Sequence, residues 1–168
     1  MDRPVNIFDK IGSLIPGYTG YAERNNRRQC DKLLREKIAV AINSSEKLMS
    51  KRIAASIKAN EHTHLNESEE CRKKLNTIRD KIKFSPYGES AFFSSAQLKE
   101  EELSAIYQKD FALLGKANEI NQAIPDLDNK SILKFIEEFE AMLNPTFGRK
   151  NIRHNIFQNP SRTSEESA

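Results

Sequence analysis

The sequence predicts an all-α protein: an elongated antiparallel helical bundle of four main helices plus a short N-terminal helix, with a flexible C-terminal tail. In every long patterned segment the apolar residues recur at steps of three and four, which is the spacing of one helix face. Gly and Pro number six each among 168 residues, too few for the many turns of an all-β fold. Hydrophobic residues make up 38% and charged residues 30%, which is typical of helices with a single apolar stripe.

The first two predicted helices cover residues 5–15 and 21–59, separated by Pro16 and Gly17, which favour a stop. The second pattern is unusually long. The Asn-Ser-Ser-Glu stretch at 43–46 resembles a capping box, which would break the helix there. Because the apolar stripe continues through this stretch, we favour one continuous helix.

Three further helices are predicted from the same kind of helix-starting and helix-stopping residues. The third is expected to begin at Asn66 with a capping box. It carries a seam of the coiled-coil type, formed by Cys71, Leu75, Ile78 and Ile82. The fourth helix is expected to begin at Ser94 and end at Pro125, and the fifth to begin at Asp128 and end at Pro145.

The chain after the last helix is polar and has no apolar period. We therefore expect a helical bundle domain over residues 1–145 and a flexible polar tail over residues 146–168. No window approaches the roughly 20 apolar residues of a membrane-spanning helix, and no signal peptide is evident. The two cysteines do not form a disulfide framework, so the expected location is cytoplasmic.

Charge is distributed unevenly along the chain, although the net charge is only +3. Residues 1–60 hold 12 Lys and Arg against 6 Asp and Glu, whereas residues 97–144 hold 5 against 10. Two interpretations are open. The halves could attract each other within one bundle, or the basic half could form a surface for an external acidic partner.

The sequence contains no catalytic or metal-binding signature. His62-Thr63-His64 falls in a connection and lacks the three or four ligands of a zinc site. The glutamates at 100–102 and 137–140 lie side by side on helices, where they fan outward rather than converge in a pocket. We therefore predict a non-enzyme with no cofactor. The alternative is an enzyme of unrecognised type with a cleft beside the aromatic loop at 86–93.

A basic stretch opens the long helix and has two tyrosines beside it. We predict that it binds a partner through Tyr18, Tyr21, Arg24, Arg27 and Arg28. Interspersed carboxylates and the absence of a recognisable module argue against nucleic acid. The amphipathic segment 5–15 before it could instead lie in a membrane interface.

Asp110 lies at a seam position of the fourth helix, between Ile106 and Leu113. Register drift would instead leave Asp110 exposed at the edge of the stripe. If Asp110 faces inward, an unpaired buried carboxylate is costly, so it needs a donor. Tracing the seam of the second helix backwards leads to Arg27 and Arg24. We therefore predict a buried polar network of Asp110 with one of these arginines, closed by a loop tyrosine such as Tyr18 or Tyr87.

Three segments carry a resemblance, to an uncharacterised family of small bacterial helical proteins. They are Ile15-Pro-Gly-Tyr-Thr-Gly-Tyr21 with Arg27-Arg28 and Asp31-Lys-Leu-Leu-Arg35, then Lys83-Phe-Ser-Pro-Tyr-Gly-Glu-Ser-Ala-Phe-Phe93, then Leu103-Ser-Ala-Ile-Tyr-Gln-Lys-Asp110. The resemblance covers roughly residues 5–120. Glu89 and Ala91 depart from the Tyr and Gly of the family pattern. The resemblance implies a bacterial cytoplasmic protein and brings no activity, cofactor or catalytic residue with it.

The function predicted from the sequence is a non-enzymatic helical protein–protein interaction or scaffold module. Its partner would be another protein, or a second copy of the chain in a homo-oligomer. The alternative is a peripheral membrane protein that uses the amphipathic N-terminal helix and the basic cluster. Long helices with segregated charge support the first reading.

Overall fold

In a computed structural model, residues 6–84 and 98–147 are described, and all regular structure within them is helical. These residues form five α-helices and one 3-10 turn: α1 (Ile7–Leu14), the 3-10 turn (Arg24–Asn26), α2 (Arg27–Lys58), α3 (Leu65–Phe84), α4 (Glu100–Ala123) and α5 (Asn129–Phe147). The predicted all-α bundle is confirmed.

The four long helices form two hairpins that lie side by side. α2 packs against α3 and α4, α5 packs against the same two helices, and α1 packs against α4. Within each hairpin the helices are antiparallel, as predicted. The hairpins themselves point the same way, because Ser45 of α2 meets Asn121 of α4 and Arg52 meets the next turn at Ile124. α2 and α4 are therefore parallel neighbours, which the sequence did not indicate.

The core is an apolar column along the bundle axis. All four residues of the predicted α3 seam are buried. α5 contributes Ile132, Ile136, Phe139 and Leu143, and α4 contributes Ile106, Leu113, Ala117 and Ile120. The expected stripe of α2 is buried or partly buried from Cys30 to Ile53, with Ala41 and Leu48 partly buried, but Ile57 at its end is 54% exposed. α2 extends past the core here, so a residue at the right spacing finds no neighbour.

α2 is continuous through residues 43–46, as favoured above. Ser44 and Ser45 do not cap a new helix. Their hydroxyls donate to the carbonyls of Val40 and Ala41, at 3.1 and 3.2 Å, within the same helix. The helix starts at Arg27 rather than at Tyr21, after the 3-10 turn.

Three other helix ends test the expected capping residues. Asp128 caps α5, because its carboxylate accepts from the backbone N–H of Ser131 at 3.0 Å. Asn66 does not cap α3, which already begins at Leu65. α5 runs to Phe147, two residues past Pro145, because a proline near a helix end removes a single backbone donor. α4 begins at Glu100, after the N-cap Lys99, rather than at the expected Ser94. Ser94 itself lies outside the described residues. So does the predicted tail, except for residues 146 and 147, which belong to α5.

The end of the bundle where α2 and α4 finish, here called the distal end, is closed by neutral and half-buried contacts. Nη1 of Arg52 donates to the carbonyls of Ile124 and Leu127, at 2.9 and 2.7 Å. Nδ2 of Asn129 donates to Ser68 Oγ at 3.0 Å. The bonds from Arg52 take up carbonyls left without helical partners at and just after the end of α4.

Candidate functional site

The opposite end, here called the proximal end, holds most of the residues singled out from the sequence. The chain between α1 and the 3-10 turn, here the strap (residues 15–23), crosses this end of the bundle. Gly17 and Gly20 have φ angles of +80° and +84°, which favour glycine. At Gly20 space also matters, because a Cβ there would lie 2.6 Å from Tyr107 Oη and 2.7 Å from the Phe8 ring. The strap can therefore lie flat against α4 only with glycine at position 20.

The strap is held by an aromatic cluster. The backbone N–H of Tyr21 donates to Tyr107 Oη at 2.8 Å, and the two rings stack with centroids 5.6 Å apart. Tyr18 meets Tyr21 edge-on at 5.7 Å, and Phe8 of α1 lies 5.5 Å from Tyr107. Tyr107 was not singled out from the sequence, although it organises the cluster. Its position one residue after the seam residue Ile106 gave no signal of this role.

Arg27 lies beneath the strap and is fully buried. Its Nε donates to the carbonyl of Tyr21 at 2.8 Å, and its Nη2 to the carbonyl of Ala22 at 3.4 Å. Burial, and then the neighbouring charge of Arg24, lower the pKa of Arg27. The guanidinium therefore fastens the strap to the first turn of α2 from inside, rather than facing a partner.

A buried ion pair follows one turn further along α2. Arg35 Nε donates to Asp31 Oδ2 at 2.8 Å, and the two side chains are 4% and 0% exposed. Lys32 and Glu36 have the same spacing, but their side chains are 56% and 59% exposed and 3.9 Å apart. Arg35 was not predicted as a site residue, because spacing alone does not distinguish a buried pair from an exposed one.

Asp110 is fully buried at the same end. Burial, and then the charge of Asp110, raise the pKa of Tyr18 well above its usual range. Burial also raises the pKa of Tyr107, to which the charge of Asp110 contributes. Asp110 therefore lies close to both tyrosines. Together Tyr18, Tyr21, Arg27, Asp31, Arg35, Tyr107 and Asp110 form what we call the proximal cluster.

Only some of the residues predicted to form the polar network are buried at the proximal end. Asp110 and Arg27 are both buried at the proximal end, whereas Arg24 lies exposed in the 3-10 turn. Tyr87 lies outside the described residues. A bond between Arg27 and Asp110 stays a prediction.

The predicted partner-binding set divides in the same way. Tyr18 is 6% exposed, and Tyr21 and Arg27 are 0% exposed, so none of the three offers a surface to a partner. Their side chains are drawn inward because the strap packs on α4. Arg24 and Arg28 remain exposed. The surface available at this end is therefore basic without the expected tyrosines.

A longer basic surface runs along the outer side of α2. It consists of the exposed basic residues of this 32-residue helix, which we call the α2 ridge: Arg28, Lys32, Lys37, Lys47, Lys51 and Lys58. Glu36 is the exposed carboxylate beside them. Among the described residues, no carboxylate lies within ion-pair distance of Lys37, Lys47, Lys51 or Lys58. The ridge therefore keeps most of its charge facing solvent.

The acidic half of the chain is neutralised differently. Glu137 and Glu140 of α5 pair with Lys74 and Lys81 of α3, at 2.8 and 2.6 Å. Glu138 pairs with Lys116 of α4 at 2.6 Å. The glutamates of α5 thus join neighbouring helices instead of converging on a reaction centre. Their partners come from α3 and α4, not from the basic α2.

The histidine stretch lies in the connection between α2 and α3. His62 Nε2 is 3.0 Å from Asn60 Oδ1, and His64 Nδ1 is 3.3 Å from Glu67 Oε2. Across residues 6–84 and 98–147, no three His, Cys, Asp or Glu side chains are grouped so as to hold a metal ion. Both histidines are exposed and interact locally.

Comparisons with protein-family models, with curated proteins and with solved structures gave no match. None of the helices described above is both long and apolar enough to cross a membrane.

Proposed function

We propose that this chain is a non-enzymatic helical interaction module that presents the α2 ridge to an acidic partner protein. The observation that carries the proposal is that four exposed lysines of α2, Lys37, Lys47, Lys51 and Lys58, have no carboxylate within ion-pair distance among the residues that the structure describes. Of the two interpretations of the charge distribution, these lysines favour the external partner. The glutamates of α5 already form ion pairs with lysines of α3 and α4, so they do not neutralise the positive charge of α2.

The ridge is unfavourable for the isolated chain. Lys47 and Lys51 are one turn apart on the same face, and like charges at this spacing destabilise a helix by roughly 0.2–0.5 kcal/mol. An acidic partner would relieve this repulsion. A second copy meeting this face across a two-fold axis would set lysine against lysine, so a homodimer through the ridge is disfavoured.

The alternative, attachment to an anionic membrane, would rely mainly on the same ridge. Most of the apolar face of α1 is occupied, because Ile11 is fully buried and Phe8 packs against the rings of Tyr18 and Tyr107, while Leu14 at its end is 40% exposed. The proposed location is cytoplasmic, which is supported by two free, buried cysteines, Cys30 and Cys71.

The test compares two matched triple variants in affinity capture from the native host with quantitative mass spectrometry. Lys47→Glu, Lys51→Glu and Lys58→Glu reverse the ridge. The control variant carries Lys109→Glu, Lys130→Glu and Lys134→Glu, which are exposed on α4 and α5 and change the net charge equally. We expect wild type and control to retain the same acidic protein and the ridge variant to lose it.

Salt and vesicles complete the test. Capture through exposed charges should weaken as ionic strength rises, because the Debye length falls from about 10 Å at 0.1 M salt to about 3 Å at 1 M. Equal capture by both triple variants would contradict the proposal. Co-sedimentation of wild type, but not of the ridge variant, with anionic vesicles would favour the membrane alternative.

A further inference from the structure

Two exposed apolar side chains lie in the same half of α2 as the distal lysines. Val40 is 63% exposed and Ile57 is 54% exposed, and they are two of only four large hydrophobic residues that are exposed within the described part of the chain. Lys47 and Lys51 lie between them, and Lys58 follows Ile57 directly. At about 1.5 Å per residue the two apolar side chains are roughly 25 Å apart along the helix axis.

Several of the exposed residues between these two side chains are small. Ala54 and Ala55 are exposed and short. The Ser44 hydroxyl donates to the Val40 carbonyl at 3.1 Å, so it is turned back toward its own helix. Helices pack at axial distances of about 8–10 Å when small residues leave grooves between larger ones. The distal half of α2 has such small residues beside its exposed lysines.

We propose that the distal half of α2 is a docking site for one acidic helix of the partner protein, lying along α2 from Val40 to Ile57. The inference rests on the proposed function and deepens it by naming the partner element. The partner helix carries Asp or Glu opposite Lys47, Lys51 and Lys58. It carries an apolar residue near each end, about five turns apart, to cover Val40 and Ile57.

Protein fits this surface better than the other polyanions do. A phosphate backbone gains from lysines but has no use for two exposed apolar side chains at the ends of the row. An anionic membrane would be met by apolar residues along the whole contact face, whereas here lysines occupy its centre. A helix with acidic residues between two apolar ones satisfies both kinds of side chain at once.

The experiment places a photo-crosslinker, p-benzoylphenylalanine, in the full-length chain in its native host. It replaces Val40 in one variant, Ile57 in a second, and in a control Ala112, which is exposed on α4. Adducts are identified by peptide mass spectrometry. We expect Val40 and Ile57 to crosslink to the same protein, at two sites that flank an acid-rich helical stretch. The control should not form these adducts.

Adding Lys47→Glu and Lys51→Glu should abolish both adducts. The inference is overturned if the two positions give no adduct beyond those of the control. It is equally overturned if they crosslink to different proteins, to an acid-poor segment, to nucleic acid or to lipid. The two proposals fail separately. Loss of capture on ridge reversal without these adducts would keep the interaction module and reject the helical docking site.

Discussion

The two ends of the bundle are closed by different chemistry. At the proximal end, four ionisable side chains are buried: Arg27, Asp31, Arg35 and Asp110 are all at most 3% exposed. At the distal end, Arg52 reaches the last carbonyls of α4 while staying half-buried. A group that keeps contact with water can exchange a lost partner for solvent, whereas a buried charge cannot. The proximal end should therefore be much the more sensitive to substitution.

The largest effect is expected at the buried ion pair. Arg35→Ala should lower the free energy of unfolding by about 3–5 kcal/mol, because it removes the partner at 2.8 Å from a carboxylate that is fully buried. Urea unfolding followed by circular dichroism measures this. The control is Lys32→Ala, which breaks an exposed pair of the same spacing and should cost no more than about 1 kcal/mol. Similar losses for the two variants would show that burial does not make the ion pair at the proximal end more sensitive than an exposed one.

The next largest effect on stability is expected in the strap, where a glycine substitution should destabilise the fold, whereas the same substitution at a control glycine should stabilise it. Gly20→Ala should destabilise the fold by about 1–3 kcal/mol, because the new Cβ meets Tyr107 and Phe8 at a positive φ. Gly115 is helical and has nothing within 4 Å of its would-be Cβ. Gly115→Ala should therefore stabilise by up to about 1 kcal/mol. Thermal unfolding of both variants provides the comparison, and a neutral Gly20→Ala would show that the strap is not tightly seated.

The smallest effect is expected at the distal end. Arg52→Ala removes bonds of 2.9 and 2.7 Å to two carbonyls, but water can reach this position and replace them. We expect a loss of about 1–2 kcal/mol in urea unfolding. Lys51→Ala, at the neighbouring exposed position, should be close to neutral. A loss as large as that of Arg35→Ala would mean that the distal end is also closed by an irreplaceable charge.

Periodicity predicted the helices well because it reports which face of a segment is buried. It therefore identified the α3 seam and the burial of Asp110 at a seam position. Ile57 shows its limit, since the stripe continues in sequence after the neighbouring helices have ended. The pattern also says nothing about which faces meet, so the parallel placement of the two hairpins was not predictable.

The candidate site was less predictable than the fold. Tyr18, Tyr21 and Arg27 have residue types that are common at surfaces, but all three are buried: the tyrosines belong to the strap, and Arg27 lies beneath it. The course of the strap depends on its contact with Tyr107. Because Tyr107 is 86 positions after Tyr21, no pattern in the sequence indicated this contact. The α2 ridge had a clearer signal in the basic composition of residues 1–60. In the described part of the chain, Lys37, Lys47, Lys51 and Lys58 of this ridge have no carboxylate within ion-pair distance, and this could only be seen once the helices were placed.

The bond between Tyr21 and Tyr107 joins residues 86 positions apart, which bears on how the molecule assembles. A contact that closes so long a loop is formed at an entropic cost that local helical contacts avoid. The strap can dock only on an α4 that is already in place, so it belongs to the late steps of folding. Substitutions in the strap should then leave the folding rate nearly unchanged and speed unfolding. The strap thus governs how long the folded molecule lasts more than how quickly it forms.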